Sequence, residues 1–174
     1  MVDAGQRALA MEVSSHALAL GRADGIMFDI AAFTNLSPDH LDFHPSMQEY
    51  FGAKASLFTG RRCRRGVINT DDGWGRRLAR EASIEHVTYA VSGPADWTVR
   101  GVVADASGST FEAVNGQTAV PVRVRAPGMF NVANALAALV MLVLAGHRLQ
   151  DAAAALDSFH GVPGRMEVVP GDGP

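Results

Sequence analysis

The sequence predicts an α/β fold, a mostly parallel sheet with helices and a small antiparallel β subdomain. Between residues 7 and 90, apolar runs of strand length alternate with stretches of helical character, the pattern of βαβ units. Between Trp97 and Arg125, three β-rich stretches (WTVRGVVA, STFEAV and AVPVRVRA) are parted by Gly, Ser and Asn-Gly, which favours antiparallel hairpins. At 174 residues, 48% of them hydrophobic and 19% charged, the chain is the size and composition of one soluble globular domain.

Residues 7–13 (RALAMEV) read as a buried strand ending near Glu12, followed by a helix over 15–21. Residues 28–35 (FDIAAFTN) read as the second strand. Asn35-Leu36-Ser37-Pro38 then reads as a helix start, with Ser37 as N-cap, Pro38 at the first helical position and His40 at the third. Ser46-Met47-Gln48-Glu49 is a capping box that opens another helix, along which Tyr50, Phe51, Leu57 and Phe58 form one apolar stripe. A strand at 66–69, a helix at 73–82 and a strand at 86–90 follow. A long helix over 130–145, with Gly146 as C-cap, and a helix over 149–158 complete the pattern. Residues 161–174 have the Pro and Gly content of a linker. The chain opens as though a helix were running into the first strand, so it is expected to be a piece: residues 1–160 a partial central domain, residues 161–174 a linker onward.

The net charge of −3 and pI near 6.0 leave no electrostatic footprint for nucleic acid or an anionic membrane. The longest apolar run, from Ala135 to Gly146, is too short to cross a bilayer. One cysteine, Cys63, excludes an internal disulfide and fits a reducing, cytoplasmic setting. It reads as an inert surface or half-buried thiol, and the arginines around it (Arg61, Arg62, Arg64, Arg65) as a solvated helix end.

Lysine and arginine total 15, and the single lysine among them is Lys54, in YFGAKASLF, in the middle of the apolar stripe. Two readings stand. The stem covers apolar surface while the ammonium reaches water. Alternatively the amine is desolvated and neutral often enough to react. A neutral amine can take up CO2 as a carbamate, an anionic oxygen ligand that arginine cannot form.

Asp39-His40-Leu41-Asp42-Phe43-His44 crowds acids and imidazoles together. His40 and His44 have the spacing of a zinc helix, but Leu41 stands where a zincin carries glutamate and Pro45 bends His44 away, which leaves a metal-dependent hydrolase a weak alternative. His40 reads as a neutral ligand; Asp39, Asp42 and His44 read as surface and capping groups. Glu12, at the carboxyl end of a strand, suits Mg2+ or the cap of the next helix. Either Ser14 or Ser15 caps that helix. Of Asn131 and Asn134, one caps the long helix and the other can present its amide to an adenine edge. Arg165 stands where a linker could set it over a ribose or phosphate.

The motifs MEVSSHAL (11–18), FTNLSPDHLDFH (33–44), AKASLF (53–58), FNVANALAA (130–138) and GVPGRME (161–167) together resemble the Mur ligase family, in the family's order. The first three resemble the branch that adds the third peptide residue. The resemblance implies a P-loop-like central domain and an ATP-dependent ligase of peptidoglycan synthesis. Such an enzyme activates UDP-N-acetylmuramoyl-L-Ala-D-Glu as an acyl phosphate, and the amine of meso-diaminopimelate or lysine then attacks. By position, Glu12 and His40 look like Mg2+ ligands. Lys54 looks like the carbamylated lysine that completes a second Mg2+ site. Ser14 and Arg22 look like contacts to the UDP-sugar peptide, Asn134 like an adenine contact, and Arg165 like a nucleotide contact near ribose and phosphate.

The chain departs from the family in having no Gly-Lys pair, and so no counterpart of its phosphate-binding loop upstream of MEVSSHAL. Leu20 stands where some relatives carry a polar residue. The isolated chain is therefore expected to be inactive without the remainder of a full-length ligase. Two alternatives remain: another amide ligase of the superfamily, of folylpolyglutamate or cyanophycin type, and a non-catalytic nucleotide-binding domain.

Overall fold

A parallel sheet of β1 (Phe28–Phe33), β2 (Cys63–Asn69) and β3 (Glu85–Tyr89), with β2 central, organises the computed structural model, which describes residue 5 and residues 7–159. Helix α2 (Met47–Ala55) links β1 to β2, and α3 (Gly73–Glu81) links β2 to β3, as the alternating pattern predicts. Strand β2 is buried on both faces, so it is apolar without alternation over its last residues. Val67 and Ile68 are each 0% exposed and belong to different core clusters.

On the Ile68 side, α1 (Ser15–Ala19), α2 and α3 bury Leu18, Tyr50, Phe51, Phe58 and Leu78 against Phe33. The apolar stripe of the α2 region is therefore a core face, as its spacing predicts. On the Val67 side lie α4 (Met129–Leu144), α5 (Leu149–Asp157) and an antiparallel sheet of β4 (Thr98–Asp105), β5 (Gly108–Asn115) and β6 (Thr118–Val124). Val132, Leu136, Leu139 and Val140 of α4 are fully buried there, spaced so as to face one way. The two sheets are joined where the chain leaves β3: Trp97 N–H donates to the Thr88 carbonyl (3.0 Å) and Ala90 N–H to the Trp97 carbonyl (3.0 Å).

Helix ends follow their sequence signals in most places. Ser46 Oγ accepts from Glu49 N–H (3.2 Å), and Asp72 caps α3 by accepting from Gly75 N–H (2.7 Å). Ala145 is the C-cap of α4, one residue before the expected Gly146. Gly146 follows it at φ +96°, where its amide donates to the Val143 carbonyl (3.0 Å) and the His147 amide to the Leu142 carbonyl (3.1 Å). At the other end, neither Asn131 nor Asn134 is the cap. Gly128 holds that position, and Asn131 Nδ2 donates back to the Pro127 carbonyl (2.7 Å).

Several expectations are corrected. Residues 7–13 form no strand: Leu9 is 62% exposed and Met11 49%, and β1 pairs with β2 alone among the described residues. An apolar run becomes a strand only where a neighbour satisfies its backbone. No helix starts at Ser37. The Leu36 amide donates to Asp72 Oδ2 (3.3 Å), far along the chain, and Asp39 Oδ1 accepts the His40 amide (2.7 Å), the amide that a Ser37 cap would have taken. His40 adopts φ +54°, outside helical geometry. Cys63 is wholly buried and its thiol is pushed up to about 11 by that burial, which fits an inert thiol and excludes an exposed one. Arg61 and Arg64 are solvated as expected, but Arg64 and Arg65 lie in β2 rather than at a helix end, and Arg62 and Arg64 pair with Asp24 (2.7 Å) and Asp29 (3.1 Å). The linker expected over 161–174 lies outside the described residues.

Gly75 lies so close to the Asn69 carbonyl that a Cβ there would overlap a backbone atom. Gly75→Ala is expected to lower the unfolding free energy by about 1–3 kcal/mol in chemical denaturation. Gly52→Ala, in mid-α2 with nothing within 4 Å of the added carbon, is expected instead to raise it by about 0.5–1 kcal/mol.

Candidate active site

The carboxyl ends of β1 and β2 open onto one edge of the sheet, the edge where open α/β folds bind ligands. Four segments meet there: residues 11–16, the 34–44 loop after β1, the middle of α2, and the turn from β2 into α3.

Lys54 comes from α2 and is half-buried. Its Nζ donates a long hydrogen bond to the Asn35 carbonyl (3.4 Å) and lies 5.8 Å from the Phe33 ring centre and 5.6 Å from that of Tyr50. Burial lowers the amine's pKa; the carboxylates of Glu12 and Asp72 oppose the shift, because they favour the ammonium. The lone lysine thus sits in a mixed environment, with apolar walls on two sides and two acids facing it.

Asp72 was missed by sequence reasoning. Its Oδ1 accepts from Gly75 N–H and its Oδ2 from Leu36 N–H, so one carboxylate caps α3 and fixes the loop that carries Asn35. The available signal was an Asp placed just before a helix of the β2–α3 crossover, an N-cap pattern.

Ser14 is the cap of α1, with Oγ accepting from Ala17 N–H (3.2 Å); its own O–H proton stays available to a ligand. Ser15 is buried, and its Oγ is 2.9 Å from His44 Nε2. That pair overturns the expectation that His44 is a surface group: it is 4% exposed. Its ring lies flat on Tyr50, with centroids 4.9 Å apart at 12°. Burial lowers its pKa, and the neighbouring His16 and His40 lower it further, against weaker opposing pulls from Glu49 and Asp42.

The His40 ring stands edge-on between two others, 4.9 Å from His16 and 6.0 Å from Tyr50. Its carbonyl accepts from the amides of Phe43 (3.1 Å) and His44 (2.9 Å), closing a single turn. The left-handed backbone at His40 costs on the order of 1–3 kcal/mol, a strain that persists only where the surroundings over-determine it.

The structure therefore gathers Glu12, Ser14, His40 and Lys54 at one edge. Arg22 is exposed beyond α1. Asn134 is exposed on α4, which packs on the other face of the sheet, and it does not join the Lys54 group. Arg165 lies outside the described residues. Among those described, no three His, Cys, Asp or Glu side chains converge to hold a metal unaided.

A family profile described as the Mur ligase middle domain matches residues 1–142. The chain belongs to the Mur ligase family. Mur ligases are ATP-dependent ligases. This Mur ligase chain is 51% identical over 173 residues to the UDP-N-acetylmuramoyl-L-alanyl-D-glutamate--2,6-diaminopimelate ligase of Streptomyces coelicolor, covering 97% of this chain and 34% of that protein. It is 43% identical over 184 residues to the UDP-N-acetylmuramyl-tripeptide synthetase of Leifsonia xyli, covering 99% and 35%. The chain thus spans about a third of the length of these relatives.

Among solved structures, a UDP-N-acetylmuramoyl-L-alanyl-D-glutamate--2,6-diaminopimelate ligase superposes with a TM-score of 0.82 at 34% identity, over 92% of this chain and 34% of that one. MurF of Thermotoga maritima in complex with ADP shares the fold, with a TM-score of 0.70 at 17% identity over 88% of this chain and 35% of that one.

In the unfolded chain His44 has the ordinary value of 6.5, and in the fold it is lower. The unfolded state therefore binds more protons between the two values, so this contribution is complete above pH 6.5 and is lost as pH falls through the folded pKa. Ring resonances followed by NMR are expected to half-titrate below 6.5, and His44→Gln is expected to flatten the acid limb of a stability–pH profile.

Proposed function

We propose that this chain supplies the ATP- and Mg2+-handling centre of a ligase that adds the third amino acid to UDP-N-acetylmuramoyl-L-Ala-D-Glu in peptidoglycan synthesis, in the cytoplasm. The name of the Streptomyces coelicolor relative favours 2,6-diaminopimelate over lysine as the amino acid. In this reading residues 1–160 are the central domain and 161–174 lead onward. On the same reading the remainder of the full-length ligase binds the incoming amino acid and shares the UDP-sugar peptide with Ser14 and Arg22.

The observation that carries the reading is Lys54. Its half-buried amine lies against the Phe33 and Tyr50 rings, and burial lowers its pKa against the opposing pull of Glu12 and Asp72, which favours the neutral form that CO2 requires. The nitrogen lone pair adds to the carbon, an N–C bond forms, and the displaced proton leaves to water, giving an N-carboxylate. That anion is repelled by the two carboxylates already present, and a divalent cation among them offsets the repulsion. The donor set suits such a cation: hard carboxylate and carbamate oxygens are what Mg2+ takes, while the His40 imidazole is the softer member. Glu12 and His40 would hold one ion, and the Lys54 carbamate would complete a second site.

When bound, Mg2+ supplies charge neutralisation at the phosphoryl group being transferred. The chain's own groups orient the reactants. Ser14 offers its free O–H, and Arg22 its guanidinium, to the anionic UDP-sugar peptide. Asn134 offers its amide to adenine, and Arg165 its charge to ribose and phosphate. The substrate carboxylate would then take the γ-phosphoryl group of ATP as an acyl phosphate, with ADP leaving, and the incoming amine would displace phosphate and release a proton to give the amide.

The test uses the full-length ligase. Wild type supplied with 13C-bicarbonate is expected to show a carbamate carbon by NMR. Lys54→Arg, which keeps the charge but cannot form a carbamate, is expected to lose that signal and at least about 100-fold in kcat. Wild-type turnover by Lys54→Arg would refute the reading.

A further inference from the structure

We infer that His44 is a positioning residue for this site, holding the two rings that bracket His40. This rests on the reading of His40 as a metal ligand.

The geometry is specific. His44 Nε2 pairs with Ser15 Oγ at 2.9 Å, and the next residue, His16, presents its ring to one side of His40 at 4.9 Å. The flat face of His44 lies on Tyr50, whose ring stands on the other side of His40 at 6.0 Å and also lies 5.6 Å from Lys54 Nζ. The His44 amide donates to the His40 carbonyl (2.9 Å), closing the turn that keeps His40 at φ +54°. A surface imidazole at position 44 would leave the Ser15 hydroxyl without this partner in a buried site and Tyr50 without the ring stacked on it, while His16 would keep Phe43 at 4.1 Å but lose His44 at 5.6 Å.

A ligand's affinity depends on the groups that orient it, and removing such a group typically costs 10–100-fold in metal affinity or activity. The role assigned to His44 is orientation of this kind. It makes no contact with substrate and accepts no proton in the reaction. Ser15 shares the role, since it is the other half of the pair, and Ser14, the α1 cap beside it, is held in register by the same bond.

The experiment titrates Mn2+ alone, followed by EPR, into the full-length ligase and its variants. Thermal unfolding and steady-state kinetics are recorded on each protein. His44→Phe keeps the stack on Tyr50 but loses the bond to Ser15, and Ser15→Ala loses it from the other side. Each is expected to weaken Mn2+ binding by about 10-fold and to lower kcat with little change in the KM for ATP. The double variant is expected to be no worse than either single one, because both remove one shared interaction. His44→Gln, which can again reach Ser15, is expected to recover most of the loss.

If His44→Phe and Ser15→Ala melt earlier yet bind Mn2+ as tightly as wild type, the pair is only part of the core and the inference is overturned. His40→Ala separates the two questions. If it weakens Mn2+ binding while His44→Phe does not, the metal reading stands and the positioning role falls. Unchanged Mn2+ affinity in His40→Ala removes the metal reading of His40, and the positioning role with it.

Discussion

The double burial of β2 is the constraint on which the rest of the structure depends. With Val67 and Ile68 both excluded from water on opposite faces, the strand can tolerate neither a polar insertion nor a shift of register by one residue. Helices α1 to α3 are held on one side, and α4, α5 and the antiparallel sheet on the other. The consequence for chemistry is positional. Asn35, Asp72 and Lys54 come together where β1 and β2 run out.

At that edge, charge and apolar surface are set against one another around a single amine. Phe33 and Tyr50 disfavour the ammonium, while Glu12 and Asp72 favour it. A lysine wholly inside the apolar cluster would lack the acids, and one in open water would stay charged. Half-burial gives a group whose protonation neighbouring ions can tip. Asp72 links this balance to the scaffold, since the same carboxylate that faces Lys54 closes the first turn of α3 and secures Leu36. The local electrostatics and the local backbone are therefore not independent.

Much of this was legible in the sequence, and the failures share a cause. The β1–α2–β2–α3–β3 alternation and the Ser46 cap rest on near neighbours in the chain, and the structure has both; Lys54, read either as reaching water or as desolvated, is half-buried. The strand expected over 7–13 required a partner strand, which periodicity cannot supply. The helix expected at Ser37 had a good local signal, but Asp72, far along the chain, takes the Leu36 amide. His44 looked like a surface group beside Pro45 because its partner, Ser15, is 29 positions away. Asn131 looked like a cap, but Gly128 at φ +101° starts α4 earlier. Each miss is a long-range bond or a backbone geometry overriding a local preference.

The backbone of His40 and its side chain make conflicting demands on one codon. A left-handed φ is relieved by glycine, and asparagine adopts it more readily than most residues, but neither carries an imidazole. Any substitution that relaxes the peptide discards the ring standing between His16 and Tyr50. A change that relieved the backbone here would therefore take the third ring out from beside His16 and Tyr50, so the strain and the ring cluster come and go together.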